Sequence, residues 1–230
     1  MLFRSAALLR LLYGVFLPLQ GLWGGWLAAM AAATMLYGNL AAIPQTNVKR
    51  LLGYSSIGHA GYLLMGLSTG TIAGAQGVAF YLLAYLVSNL AIFFVVTLVS
   101  VQSGGDSLDH FNGLARRSPL LAATMFIGLL SLAGVPPLAG FSGKLMVLMA
   151  TIEHGRIWLA LIGGANVAIS LYYYLQVVRR MYLVAPAPGS QPVACDHIST
   201  IAIAALVLSI LGIGTVQEPF LQAVIHAIRF

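Results

Sequence analysis

Thirty-four residues from Pro119 to Ile152 carry one charged side chain, Lys144, and are interrupted near the middle by Gly134, Pro136 and Pro137. A straight membrane crossing needs about 20 apolar residues, so this run is too long for one unbroken helix and must bend, break or cross twice. Proline has no N–H to donate, and its ring clashes with the preceding helical turn. In lipid, such a break survives only where protein or trapped water satisfies the freed backbone groups. A lysine at the centre of a membrane helix costs about 3 kcal/mol on insertion scales, and an ionisable group at that depth reads as functional by default. A broken helix with a buried cation points to a path for ions or protons.

The rest of the chain agrees with a membrane setting. It is 60% hydrophobic and 7% charged, with a mean hydropathy of +0.94, whereas soluble domains carry about 25% charged residues. The five acids (Asp106, Asp109, Glu153, Asp196 and Glu218) lie between or at the ends of the apolar runs. The net charge of +6 comes from basic residues near membrane edges, and no basic run exceeds two residues, so the partner is a lipid bilayer and not a nucleic acid. Cys195 is the only cysteine, which excludes an intrachain disulfide and a cysteine-built metal or iron–sulfur site. The first apolar run carries Arg4 and Arg10 and shows no small-residue cleavage site, so no signal peptide is expected.

Apolar runs place spans near 2–19, 22–43, 51–72, 76–101, 119–152, 157–178 and 199–216. The expected fold is therefore all-α: one polytopic transmembrane helix bundle, residues 1–230, of about six to seven spans with one Gly/Pro-broken helix. Within it, 1–20 forms a partial first helix, 22–183 the bundle, 184–198 a proline-rich cytoplasmic loop, and 199–230 the last helix with an amphipathic tail. In that tail Leu221, Val224, Ile225 and Ile228 share a face. Charge decides how 119–152 runs. If it crosses once, the pairs Lys49–Arg50, Arg116–Arg117 and Arg179–Arg180 fall on one side, and the other side keeps Arg156 and Arg229. If it crosses twice, that asymmetry collapses. The positive-inside rule favours the single broken crossing, with the three pairs in the cytoplasm.

Polar residues inside the spans form stripes. Ser55, His59 and Tyr62 stand at i, i+4 and i+7, on one helical face. His59 lies nine residues from Arg50, about 13 Å along a helix and so near mid-membrane. Tyr81, Tyr85, Ser88 and Asn89 form a second stripe; Asn166, Ser170, Tyr172, Tyr173 and Tyr174 a third. Such residues commonly do no more than hydrogen-bond neighbouring helices. Histidine changes charge near neutral pH, so His59 fits either structural glue or a proton relay. Lys144 lies nine residues before Glu153, too deep for its ammonium to reach the interface easily. The remaining histidines, His110, His154, His197 and His226, fall in loops or span ends.

Four segments then carry a resemblance: QTNVKRLLGYSSIGHAGYLLMGL (45–67), VAFYLLAYLVSNLAIF (78–93), LSLAGVPPLAGFSGK (130–144) and LYYYLQVVRRMYL (171–183). In this order and spacing they resemble the N-type membrane subunit of proton-pumping NADH:quinone oxidoreductase (complex I), whose mitochondrial counterpart is NADH dehydrogenase subunit 2. The Pro-Pro break followed by GFSGK looks like the N-type version and unlike the related L and M subunits. The resemblance implies a proton-translocating role, with Lys144 as the lysine of a broken twelfth helix near the proton outlet and His59 as a tenth-helix histidine on a central hydrophilic axis. Ser55, Tyr62, Tyr85, Pro136 and Pro137 would support them. It implies no cofactor in this chain; NADH, FMN, iron–sulfur clusters and quinone would belong to partner subunits. Partners would be other complex I membrane subunits, antiporter-like neighbours among them, in a bacterial plasma membrane. The alternatives are a cation/proton antiporter subunit and a non-transporting fragment or assembly element. Members of the family are roughly twice this long, so the resemblance implies a C-terminal part, with MLFRSAALLRLLYGVF as the end of an eighth helix. That helix's lysine would fall at about Met1, where there is none. A fragment, a truncated product or a subunit split from a separate N-terminal half is then expected.

Overall fold

The structure, a computed structural model, describes the backbone of residues 2–227 and the side chains of residues 7–227. The expectations placed on Met1, Ile228, Arg229 and the Arg4 side chain lie outside them. Among the described residues ten α-helices follow one another: α1 (Leu2–Gly14), α2 (Gln20–Ala42), α3 (Val48–Ser68), α4 (Ile72–Ser103), α5 (Leu114–Arg117), α6 (Pro119–Ala133), α7 (Ala139–Glu153), α8 (Ile157–Leu183), α9 (His197–Thr215) and α10 (Gln217–Ala227). Helices α4, α8 and α9 are each long and apolar enough to cross a membrane unaided. The first expected span, 2–19, is not a straight crossing. Helix α1 has 13 residues, about 20 Å, and the chain turns by 78° at Val15 and Phe16 before a 3-10 turn at Leu17–Leu19 leads into α2.

The caps follow from the sequence. The Asn47 side chain accepts from the Arg50 N–H at the start of α3, and Thr71 accepts from the Gly74 N–H at the start of α4. Each supplies an oxygen to a donor that the first turn leaves without a partner. Gly104 ends α4 in the left-handed region, where a residue without Cβ sits at least cost. Helices α2 and α3 pack closely because small residues face each other: a methyl at Gly38 would run into the backbone of Gly58, the small-against-small packing that lets membrane helices approach.

The two halves of the broken segment run in one direction. Along α4, Ile92 meets Gly128, Ser88 meets Ser131, Tyr81 meets Gly143 and Gly77 meets Val147. Numbers fall on α4 as they rise through α6 and α7, so both half-helices run in one direction, antiparallel to α4. A hairpin would have reversed the order in α7.

One end of the bundle gathers the three basic pairs. The Val48 N–H donates to Asp106 O, Leu108 N–H to Thr46 O and Gly113 N–H to Arg180 O. Lys49 pairs with Asp106 and Arg180 with Asp109, both at 2.8 Å. Arg117 donates to Gln191 O, His110 O and Ser103 Oγ, and Gln102 exchanges two bonds with Ala194, which ties the 184–198 loop to this end. At the opposite end Arg156 donates to Gly24 O and Ser68 O at 2.8 and 2.7 Å, while Gln20 reaches Ser68 O and Thr69 O. Helix α10 packs Phe220 and Leu221 against the cluster around Phe80 and Ala84 and buries Val224.

Candidate functional site

Lys144 lies one turn into α7, after the break, and is 2% exposed. Its ammonium donates to Ala133 O at 3.0 Å and stands 4.9 Å from the centre of the Tyr62 ring. Ala133 is the last residue of α6, so its carbonyl belongs to the group that a helix C-terminus leaves without intrahelical donors. The break and the lysine are therefore linked. Gly134 adopts φ +88°, and a Cβ there would come to 3.0 Å from Lys144 Cδ. Only glycine both takes that conformation readily and leaves room for the lysine stem.

His59, 4% exposed, has both ring nitrogens engaged. Nδ1 is 2.5 Å from the Tyr81 hydroxyl and Nε2 is 3.0 Å from the Tyr174 hydroxyl. Tyr174 in turn hydrogen-bonds Ser55 Oγ. The result is a buried string, Ser55–Tyr174–His59–Tyr81, drawn from α3, α8 and α4. Tyr81 also abuts Gly143, the residue before Lys144, and packs edge-on to Tyr62 with centroids 6.1 Å apart. The Tyr62 hydroxyl donates to Gly163 O at 2.7 Å, so its ring, not its hydroxyl, meets the lysine.

A family profile described as NADH:quinone oxidoreductase/Mrp antiporter, TM, matches residues 2–170. The chain belongs to this family. Among curated relatives, NADH-quinone oxidoreductase subunit N of Moorella thermoacetica is 45% identical over 210 residues, 90% of this chain and 44% of the relative. The chain thus spans about half the length of the curated relatives it matches. Among solved structures, respiratory complex I from Thermus thermophilus with bound aureothin superposes with a TM-score of 0.76 at 34% identity, over 87% of this chain and 45% of that one. The Mrp complex from Dietzia sp. DQ12-45-1b reaches a TM-score of 0.89 over 97% of this chain and 50% of its own, at 22% identity, and so shares the fold.

Within this antiporter-like fold the matched region holds both Lys144 and His59. Ser55 and Tyr62 lie about one turn either side of His59 on α3, with Ser55 on the Tyr174 hydroxyl and the Tyr62 ring on the lysine. Tyr85 is placed differently: its ring centre is 5.0 Å from that of His59, but its hydroxyl donates to Ser56 Oγ at 2.9 Å. Pro136 and Pro137 lie in the connection between α6 and α7. Two side chains outside the expected core of the site, Tyr81 and Tyr174, hold the imidazole. A second buried set, Tyr173 to Asn39 at 2.8 Å and Asn39 to Asn166 at 2.9 Å, joins α8 to α2 beside the string, with the Tyr173 ring edge-on to Tyr174 at 4.5 Å. The sequence shows these residues only as stripes; their meeting depends on three helices converging at one depth. No metal-binding cluster of His, Cys, Asp or Glu occurs among the described residues.

Proposed function

We propose that this chain is part of a proton-translocating membrane subunit of NADH:quinone oxidoreductase, in which protons pass by way of His59 and Lys144. The observation that carries this reading is the imidazole held between two tyrosine hydroxyls beside a buried lysine. A neutral imidazole has one donor and one acceptor nitrogen. A proton taken up at Nε2 from the Tyr174 side makes the ring doubly protonated, and release from Nδ1 to the Tyr81 side completes a transfer without movement of the ring. Onward transfer from the Tyr81 hydroxyl to Lys144 then needs a bridging water, since Tyr81 meets α7 at Gly143 through carbon atoms. Lys144, whose ammonium rests on Ala133 O, is the last carrier before the face opposite the basic pairs.

Electron transfer belongs to partner subunits, which hold FMN and iron–sulfur clusters and act on NADH and quinone. Antiporter-like membrane subunits would flank this one in a bacterial plasma membrane, and a companion segment would supply the remaining length of the relatives. Work against the membrane potential amounts to about 2.3 kcal/mol per proton per 100 mV, so a carrier that cannot change its protonation state stops the stroke. In the assembled complex, Lys144→Ala is expected to lower vesicle acidification and the coupled NADH:quinone activity about tenfold or more, with the complex still intact on native gels. Undiminished pumping by an intact mutant complex would falsify the assignment. Sodium-dependent antiport without NADH and quinone would instead make the chain an antiporter subunit. Unchanged activity after neutralising both Lys144 and His59 would make it an assembly element.

A further inference from the structure

We propose that the basic face carries a binding site for the phosphate headgroup of an anionic phospholipid, between the C-terminal ends of α2 and α8 and the start of α3. Two clefts meet there at Gln45. One, of about 420 Å³, opens between the α2 end and the α8 end and includes Gln176, Arg179 and Tyr172 in its wall. The other, of about 490 Å³, lies between Gln45, Arg50 and Tyr54. One offers Arg179 and Gln176 and the other Arg50, with Gln45 in the wall of both, beside apolar and aromatic side chains.

Charge selects the occupant. The loop carboxylates Asp106 and Asp109 are taken up by Lys49 and Arg180. Among the described residues, neither Arg50 nor Arg179 has a carboxylate within ion-pair distance. Guanidinium forks match phosphate oxygens in bidentate fashion. Basic pockets between membrane helices at this level suit anionic headgroups.

Depth selects a lipid over a soluble anion. Tyr54 lies four residues inside Arg50 and Tyr172 seven inside Arg179, about 6 and 10 Å along their helices. Tyr54 stacks edge-on to Tyr37 at 6.3 Å, and Tyr37 and Tyr172 are 62% and 56% exposed. Such rings mark the headgroup level of a bilayer. Leu175, 44% exposed one turn before Arg179, then lies where an acyl chain would run. A free phosphate would use the arginines and leave this apolar wall bare.

The test uses the protein in its native assembly, placed in phosphatidylcholine nanodiscs with a trace of diazirine-labelled phosphatidylglycerol or, in parallel, labelled phosphatidylcholine. Crosslinked peptides are mapped by mass spectrometry. The phosphatidylglycerol probe should label segments 43–46 and 172–180 roughly 25-fold more than the phosphatidylcholine probe, since each of the two arginines near an anionic lipid contributes about fivefold. The double variant R50Q/R179Q should lose that excess while native gels show the same assembly. If one variant fails to assemble, competition of the wild-type labelling by unlabelled phosphatidylglycerol, and not by inorganic phosphate, gives the same answer. Equal labelling by both probes overturns the proposal. So does competition by inorganic phosphate, or crosslinking of these segments to a neighbouring protein chain in place of lipid.

Discussion

Removing the Tyr81 hydroxyl separates conduction from packing, because Tyr85 provides an internal control on the same helix. Both rings pack near His59, with centroids at 6.0 and 5.0 Å, yet only the Tyr81 hydroxyl touches the imidazole; that of Tyr85 goes to Ser56. Tyr81→Phe keeps the ring, its contact with Gly143 and nearly all buried area, and deletes one hydrogen bond. Interhelical hydrogen bonds inside a membrane average about 0.6 kcal/mol and reach about 1.7, so the bundle should persist. Proton transfer is far more sensitive. With Nδ1 deprived of its only hydroxyl partner, the string ends at His59, and loss of a positioned acid or base typically costs about 100-fold or more in a proton-transfer step. Whether that step limits turnover sets the observed loss, and tenfold is the smallest fall compatible with an obligatory path. The assay is acidification of inverted vesicles driven by NADH, normalised to assembled complex, for Tyr81→Phe and Tyr85→Phe side by side. Tyr81→Phe should lose at least tenfold and Tyr85→Phe less than twofold. Equal effects, or an undiminished Tyr81→Phe, would refute the string as the route.

Three further expectations follow from other contacts. Gly134→Ala forces a Cβ into a left-handed residue, about 1–2 kcal/mol for an L-amino acid, and presses on the Lys144 stem; thermal scanning of the assembled complex should show lower stability, and pumping should fall with it. Arg156→Ala leaves Gly24 O and Ser68 O without their charged donor, a loss on the order of 1–3 kcal/mol for bonds to a charged group; faster amide exchange at the ends of α3 and α8 would report it, and unchanged exchange would count against the clasp. The hydrogen bond from Lys49 holds the Asp106 carboxyl below its usual range, helped by Ser100. A depressed native pKa stabilises above the unfolded value and is lost as pH falls through the native one. Protection of the Val48 amide, bonded to Asp106 O, should therefore hold at neutral pH and fade only below about pH 4. Asp106→Asn should remove that pH dependence.

The sequence discloses some parts of this site more readily than others, for geometric reasons. Depth along a helix can be counted, so His59 and Lys144 were expected in the interior from their distance to Arg50 and Glu153, and both are buried. The charge argument, in which three basic pairs share a face only if the broken segment crosses once, agrees with half-helices that run in one direction along α4. Rotation about a helix is harder to read. Tyr81 and Tyr85 are four residues apart and share a face, so periodicity gives them equal standing; a modest difference in height decides which hydroxyl reaches the imidazole. Tyr174 comes from 115 residues away, and nothing local in α8 distinguishes it from its neighbour Tyr172, which faces outward. The bend after α1 was missed because hydropathy alone read 2–19 as one run, although Pro18 opens the second arm just past the break at Val15 and Phe16.

Lys144 illustrates how a break can supply what a charge needs. Among the described residues no carboxylate forms an ion pair with it. Its ammonium is met by a backbone carbonyl and the face of an aromatic ring. The C-terminus of a helix carries partial negative charge, concentrated on its unpaired carbonyls. Ending α6 at Ala133 brings such a terminus into the bundle interior, at the level where Lys144 needs a counter-charge. Pro136 and Pro137 have no N–H to offer to Leu132 O and Ala133 O, so the helix cannot continue and consume those carbonyls. A carboxylate partner would hold the lysine permanently charged. A helix terminus and a tyrosine ring stabilise the ammonium more weakly than a carboxylate would, which is what the proposed carrier role requires.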